Sequence, residues 1–443
     1  MRLWIKDPLA IFAEAAERGL VVEGTRIVEL VGRGQTPMAP VDAVFDASRH
    51  VVLPGLVNTH HHFYQTLVRA HPAGLKADLL PWLVALYPSW ARIDPERLRL
   101  AVRIALVELL LSGCTTAADH HNLFPPGLEN AIDIEVEEAR ALRLRLTATR
   151  GAMSFSVKNG GLPPDNVVQD DDTVLRDCER VLKLFHDPNP GSFVQVAFAP
   201  CSPFAVSRSL MLDLSELARR GDCRLHTHLC QVEDEERFCV EAHGMRPVDF
   251  LERTGWLDSR VWLAHAVHFN AEDIGRLGRA GVGVCHCAAA DMLLAAGICP
   301  TKEFEAAGAP VGLGVDGSSS NDSSNMAEAL RHSLMIGRLK YGASAVTHTD
   351  VLRWATEGSA RCLGRGDIGR IAVGLEADLA LFTLDEPRFS GAHDPLAALV
   401  LCGAHRADRV MVAGEWRVID GAPVGIDLEA LMAQHREAAR AFA

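Results

Sequence analysis

Nowhere in the 443 residues does an uninterrupted apolar run reach the roughly 18 residues of a membrane-spanning helix. Leu100–Leu111, the most apolar helical stretch, is interrupted by Arg103 and Glu108. The opening Met1-Arg2-Leu3-Trp4-Ile5-Lys6-Asp7-Pro8 meets charge and proline too early for the apolar core of a leader, so a cytoplasmic location is the default expectation. Positive charge is also short. Lys and Arg number 44 against 57 Asp and Glu, a formal net charge of -13. Basic residues are interleaved with acids, which argues against a nucleic-acid backbone as partner but leaves a free nucleobase open. The 11 cysteines are odd in number and form no CxxC unit, so reduced core thiols are expected, not disulfides or a zinc ribbon. Ser318-Ser319-Ser320 has no His–Asp arrangement in a nucleophile elbow to make it a serine hydrolase.

What is present is ordinary in bulk, 48% hydrophobic and 23% charged, and enough chain for two domains or a large barrel with an appendage. Eight short apolar runs alternate with amphipathic segments: Val51–Leu56, Thr115–Asp119, Leu144–Arg150, Val194–Ala199, Arg224–His228, Val261–His265, Gly283–His286 and Val311–Val315. Between them lie helical patterns such as Arg97–Ser112, Ile132–Leu142, Leu175–Phe185, Leu210–Arg220, Ala271–Ala280 and Asn325–Leu339. This alternation predicts parallel strands joined by right-handed crossovers, closed into a (β/α)8 TIM barrel. The flanks are β-rich and predict a small β-sandwich built from both termini, residues 1–52 with 366–430, around a barrel at 53–365 and ahead of a C-terminal helix at 431–443. Lys158-Asn159-Gly160-Gly161-Leu162-Pro163-Pro164 is the candidate for a mobile loop over the barrel mouth.

Chemistry in such a barrel belongs at the C-terminal ends of its strands. His60 and His62 end the first, sharing a face by strand alternation while His61 points away. His226 and His228 end the fifth, His265 the sixth, His286 the seventh and Asp316 the eighth. Histidine with carboxylate suits Zn²⁺ or Fe²⁺ over Ca²⁺ or Mg²⁺. His226, deeper on the same face as His228, reads as packing or as an outer partner of a ligand. The Glu233–Glu236 run reads as a solvated helix start.

These residues resemble the amidohydrolase superfamily over nearly the whole chain. The resemblance rests on Pro54–His62, Leu225–His228, Ala264–His268, Gly314–Gly317 and the Ile368–Leu379 return to the sandwich. It implies one divalent metal, Zn²⁺ first and Fe²⁺ second, held by His60, His62, His228 and Asp316. No lysine ends the fourth strand, Ala197-Phe198-Ala199-Pro200, which argues against the binuclear, carbamylated-lysine branch. His62–Leu67, Thr115–His121, Ala199–Phe204, Gly297–Pro300 and Ser320–Asn325 are similar to aminohydrolases of aromatic N-heterocycles, the 8-oxoguanine deaminase group above all. The resemblance implies hydrolytic release of ammonia from an amino-substituted purine, pterin or pyrimidine, with Asp316 taking the water's proton and His265 orienting it. The implied partners are a small heterocycle and water, with a homo-oligomer as a further family expectation. S-triazine hydrolysis, or a non-catalytic metal- or ligand-binding homologue, are the alternatives.

Substrate contacts stay open at this stage. Gln65 offers an acceptor and a donor to a purine edge, or is a solvated first-turn residue. Trp82 stacks on a flat ring or fills the core, and Arg150 binds a ring carbonyl or makes a structural salt bridge. Two departures from the family pattern stand out. Gln231 occupies the place of the usual proton-shuttling Glu after His228, and Ala288-Ala289-Ala290-Asp291-Met292 replaces a Pro-Ser-Ser-Asn-Met-like run. Asp291 is open as a relocated shuttle, a binder of an amino-rich or cationic ring, or a loop residue.

Overall fold

The computed structural model describes residues 1–442. Eight strands form one sheet: Leu56–Asn58, Cys114–Ala118, Arg145–Ala152, Val194–Pro200, Arg224–Leu229, Val261–His265, Gly283–His286 and Val311–Leu313. Each pairs in parallel with the next in sequence. The first and eighth are tied where the sheet closes. Thr59 donates from both its amide and its hydroxyl to the Leu313 carbonyl at 3.0 Å, and the Val315 amide reaches Asn58 Oδ1 at 3.0 Å. The helices run close to expectation, for example Pro95–Leu111, Ala131–Leu142, Arg208–Gly221 and Ala271–Ala280. This is the (β/α)8 barrel. Val57, Ala118, Ala197, Trp262 and Cys285 pack together in a core cluster of their own.

The expected first strand, Val51–Leu56, requires correction because it belongs to two sheets. His50–Pro54 pairs antiparallel with Leu379–Thr383 in a six-stranded terminal sheet, and the barrel strand begins only at Leu56. Pro54 has no amide hydrogen to extend a ladder. At Gly55 a side chain would collide with Thr115, so the bare backbone passes there and its amide bonds Asp378 O at 2.8 Å. A further four-stranded sheet uses Arg2–Lys6, Gly19–Glu23, Arg26–Leu30 and Ala43–Asp46. Leu3, Ile5, Leu20, Val22, Val52, Leu379, Leu381 and Met411 form a separate core that both termini feed.

Where the terminal sheets meet the base of the barrel, Arg145 is fully buried. Its guanidinium bonds Asp378 at 2.7 and 3.2 Å, Glu376 at 2.9 Å and the carbonyls of Gly191 and Ser192 at 2.6 and 3.1 Å. The C-terminal helix Leu428–Arg440 lies near the segment that follows the first barrel strand, with His435 Nε2 3.2 Å from Thr66 Oγ1. Among the described residues no helix is long and apolar enough to cross a membrane.

Candidate active site

Strand alternation sends His60, His62 and His228 toward one point at the barrel mouth, and outer hydrogen bonds decide which ring nitrogen faces it. His62 Nδ1 is 2.7 Å from the His120 carbonyl and His228 Nδ1 is 2.6 Å from the Cys201 carbonyl. A carbonyl only accepts, so both Nδ1 atoms carry the proton and both Nε2 atoms turn a lone pair inward. Those two Nε2 atoms are 3.2 Å apart. His60 is set by a relay. The Trp262 carbonyl accepts from His226 Nδ1 at 2.8 Å, so His226 Nε2 accepts from His60 Nδ1 at 2.8 Å and His60 Nε2 is left as a lone pair. That atom is buried without a partner. His226 thus acts on His60 from below, and His61 turns away to Ser324 Oγ at 2.8 Å.

Asp316 closes the group. Its Oδ1 lies 3.4 Å from His60 Nε2 and 3.6 Å from His62 Nε2, while Oδ2 accepts from Ser320 Oγ at 3.0 Å. Burial holds His60 and His228 well below the ordinary imidazole value, and His62 below it, which keeps their lone pairs free of protons. Burial would raise Asp316, yet its carboxyl lies well below the usual range, and the neighbour able to hold it there beside neutral His60 and His62 is the positively charged His265. Inward lone pairs 3.2 Å apart repel unless a cation lies among them. Three imidazole nitrogens and one carboxylate oxygen are a zinc donor set, and each outer nitrogen is already engaged. The residues fit such an ion.

His265 stands beside this group with Nε2 3.9 Å from Asp316 Oδ2. Burial pushes its ring down, but the carboxylates of Asp291 and Asp316 outweigh that and bring it to about 9. Asp291 Oδ1 is 2.8 Å from His265 Nδ1. His265 and Asp316 both adopt left-handed backbone, φ 67° and 62°, a strain that clusters at functional sites.

The remaining sequence candidates divide. Gln65 is buried, not solvated, and its Oε1 accepts from the Ser319 amide at 3.1 Å beside Asp316. Trp82 is buried, donates to Ser319 O at 3.2 Å, and lines a pocket with Leu86, Leu293, Leu294 and Ser320. Arg150 calls for a correction. It is fully buried, bonds Asp177 at 2.7 Å and Gln169 at 2.6 Å, and covers the Phe124 ring at 3.8 Å. Those contacts make it the structural member of the two readings, not a partner of a ring carbonyl. Gln231 is buried with its Nε2 unpartnered.

The solvated reading of Glu233–Glu236 also fails at one position. Glu235 is buried and accepts from the amides of Cys230 and Gln231 at 2.6 and 3.1 Å, shaping the loop that carries Gln231. Burial brings its carboxyl to about 7 against those bonds. His120 enters the sequence reading only within the Thr115–His121 segment, not as a site residue. Its ring lies 4.5 Å from His228 and 5.3 Å from His62 by centroid, with both nitrogens buried and unpartnered. Continuing the alternation one step past the second strand would have put His120 on the same face as Ala118. Outside the barrel wall, Asp119, His121 and Glu135 form a second buried group, with His121 Nδ1 2.9 Å from Glu135.

Comparison with known proteins gives a consistent picture. The amidohydrolase family model matches residues 51–417. An 8-oxoguanine deaminase of Pseudomonas aeruginosa is 60% identical, covering 100% of this chain and 99% of that one. An isoxanthopterin deaminase from an unknown prokaryotic organism is 36% identical over 90% of this chain and 87% of its own. Among solved structures, a zinc complex of an atrazine chlorohydrolase from Arthrobacter aurescens TC1 superposes with a TM-score of 0.92 at 31% identity, covering 99% of this chain and 100% of that one.

Proposed function

The chain belongs to the amidohydrolase family, and on that premise we propose that it is a zinc-dependent aminohydrolase that removes ammonia from 8-oxoguanine. The observation that carries this reading is the set of inward lone pairs of His60, His62 and His228 facing Asp316, each outer nitrogen already bonded. The 60% identity to an 8-oxoguanine deaminase supports the choice of ring. His60, His62, His228 and Asp316 Oδ1 would hold the metal, which when bound supplies Lewis acidity and brings the pKa of a water toward neutrality.

The chain's own groups do the rest. Asp316 Oδ2 faces His265 across 3.9 Å, a separation in which one water oxygen bonds both. Asp316 accepts the water's proton as oxygen adds to the amino-bearing ring carbon. That proton passes to the departing nitrogen, the carbon–nitrogen bond breaks, and the proton left on the added oxygen moves to the adjacent ring nitrogen, so that amine plus water become a ring carbonyl plus ammonia. Gln231 Nε2, buried and unpartnered, donates to an acceptor on the ring. An amide does not give up and reclaim a proton near neutral pH, so Gln231 orients the ring and does not shuttle. The likeness to an atrazine chlorohydrolase favours a second reading, an s-triazine substrate whose leaving group needs less proton delivery. A homo-oligomer, which rests on the family alone, and a cytoplasmic location complete the picture.

Ammonia release from a panel of aminopurines, pterins, pyrimidines and s-triazines tests the proposal. 8-Oxoguanine is expected to give the highest kcat/KM, with Gln231→Glu lower. A preferred s-triazine, or a gain of orders of magnitude on 8-oxoguanine in Gln231→Glu, would overturn the assignment of substrate.

A further inference from the structure

Gln231 leaves His265 as the ring whose aim decides where the reacting water sits. We propose that Asp291 is the positioning residue for His265, locking the direction of its imidazole so that Nε2 stays opposite Asp316. The inference deepens the deaminase reading and rests on it.

A carboxylate only accepts, so the proton in the 2.8 Å contact between Asp291 Oδ1 and His265 belongs to Nδ1. Nε2 then points at Asp316 Oδ2, 3.9 Å away. That gap is too long for a direct bond and admits one atom bonded to both sides. The ring needs holding, because His265 and Ala266 both sit in left-handed backbone, at φ 67° and 53°, without being glycine. Its other neighbours supply no such hold. His228 stacks on it at 5.5 Å and His60 meets it edge-on at 5.6 Å. Asp291 is itself fixed. It lies in the short helix Ala288–Leu293, 1% exposed, with its amide bonded to Cys287 O at 3.0 Å and its carbonyl to the Ala296 amide at 2.8 Å. Its second oxygen is unpartnered and 4.0 Å from the equally unpartnered Nδ1 of His286. A carboxylate this enclosed, with one oxygen engaged by His265, acts through that ring.

The role of a substrate contact and the role of a positioning group separate in a double-mutant cycle with His265→Gln. Asp291→Ala is expected to lower kcat by about 10²-fold with KM within about threefold, the size seen when an outer partner of a site group is lost. Asp291→Asn, whose amide oxygen also accepts from Nδ1–H, is expected to recover to within about tenfold of wild type. In the His265→Gln background Asp291→Ala is expected to cost less than about threefold. A low-field imidazole N–H proton resonance, present in wild type and Asp291→Asn, is expected to vanish in Asp291→Ala and in His265→Gln. A raised KM with unchanged kcat, an equal cost in both backgrounds, no recovery in Asp291→Asn, or a resonance that survives Asp291→Ala would each overturn the assignment. The resonance is read without turnover, so it decides the role of Asp291 even where 8-oxoguanine fails as substrate.

Discussion

Two buried polar clusters sit at opposite ends of the barrel strands, and they are built on different terms. At the base, Arg145 meets Asp378, Glu376 and two carbonyls, and Asp378 also accepts from the Ala413 amide at 2.7 Å. The group closes on itself. At the mouth, the imidazoles of His60, His62 and His228 are satisfied on their outer nitrogens and turn lone pairs toward one another and toward Asp316. Leaving a buried polar atom unsatisfied costs about 1–3 kcal/mol, so a fold that does so several times at one point is shaped around something that is added to it. The closed cluster joins the terminal sheets to the barrel, whereas the open one carries the donor set proposed to hold the metal.

Substitutions sharpen that contrast. The largest effect belongs at the mouth. Asp316→Asn is expected to reduce ammonia release by about 10³- to 10⁴-fold and to lower zinc content, with little change in the unfolding midpoint of the metal-free protein. At the base, Arg145→Met leaves buried Asp378 without its cation and Glu376 with Arg26 alone at 3.4 Å, and is expected to cost about 3–5 kcal/mol in denaturant unfolding, while the folded fraction still binds zinc. His226→Gln, which disturbs the relay under His60, is expected to weaken zinc binding by about 10- to 100-fold in a chelator competition and to leave stability nearly unchanged. The smallest effect concerns pH. Burial would raise Asp367, beside the base cluster, but its bonds from Arg365 and the Gly191 amide hold it at about 2 against an ordinary 3.8. A depressed folded pKa gives stability that is complete above 3.8 and lost as pH falls through about 2. Asp367→Asn is expected to flatten that acid limb in a pH series of unfolding curves, without moving the zinc affinity at neutral pH.

The open cluster was more legible in the sequence than the closed one. Strand ends carry their residue type openly, and the i, i+2 pairs His60/His62 and His226/His228 announce a shared face. Asp316 follows from the same rule. Arg145, Glu376 and Asp378 are more than 200 residues apart in part and have no local spacing to betray them. The substrate rim was the least legible. Arg150 reads from sequence as a strand end, yet the strand runs on to Ala152 and its guanidinium bonds Asp177 and Gln169. Glu235 sits in a run of charge that reads as solvated, and only the path of the loop brings it under the amides of Cys230 and Gln231. Alternation predicts which face a strand residue takes, but a loop residue's partners depend on a fold that no short window contains.

Zinc content per chain after reconstitution and removal of excess metal tests the account most directly. One equivalent is expected in wild type and in folded Arg145→Met, and none in His60→Ala. A wild-type chain that stays free of metal at saturating zinc, or a His60→Ala chain that retains its equivalent, would contradict the claim that the open cluster is the metal site.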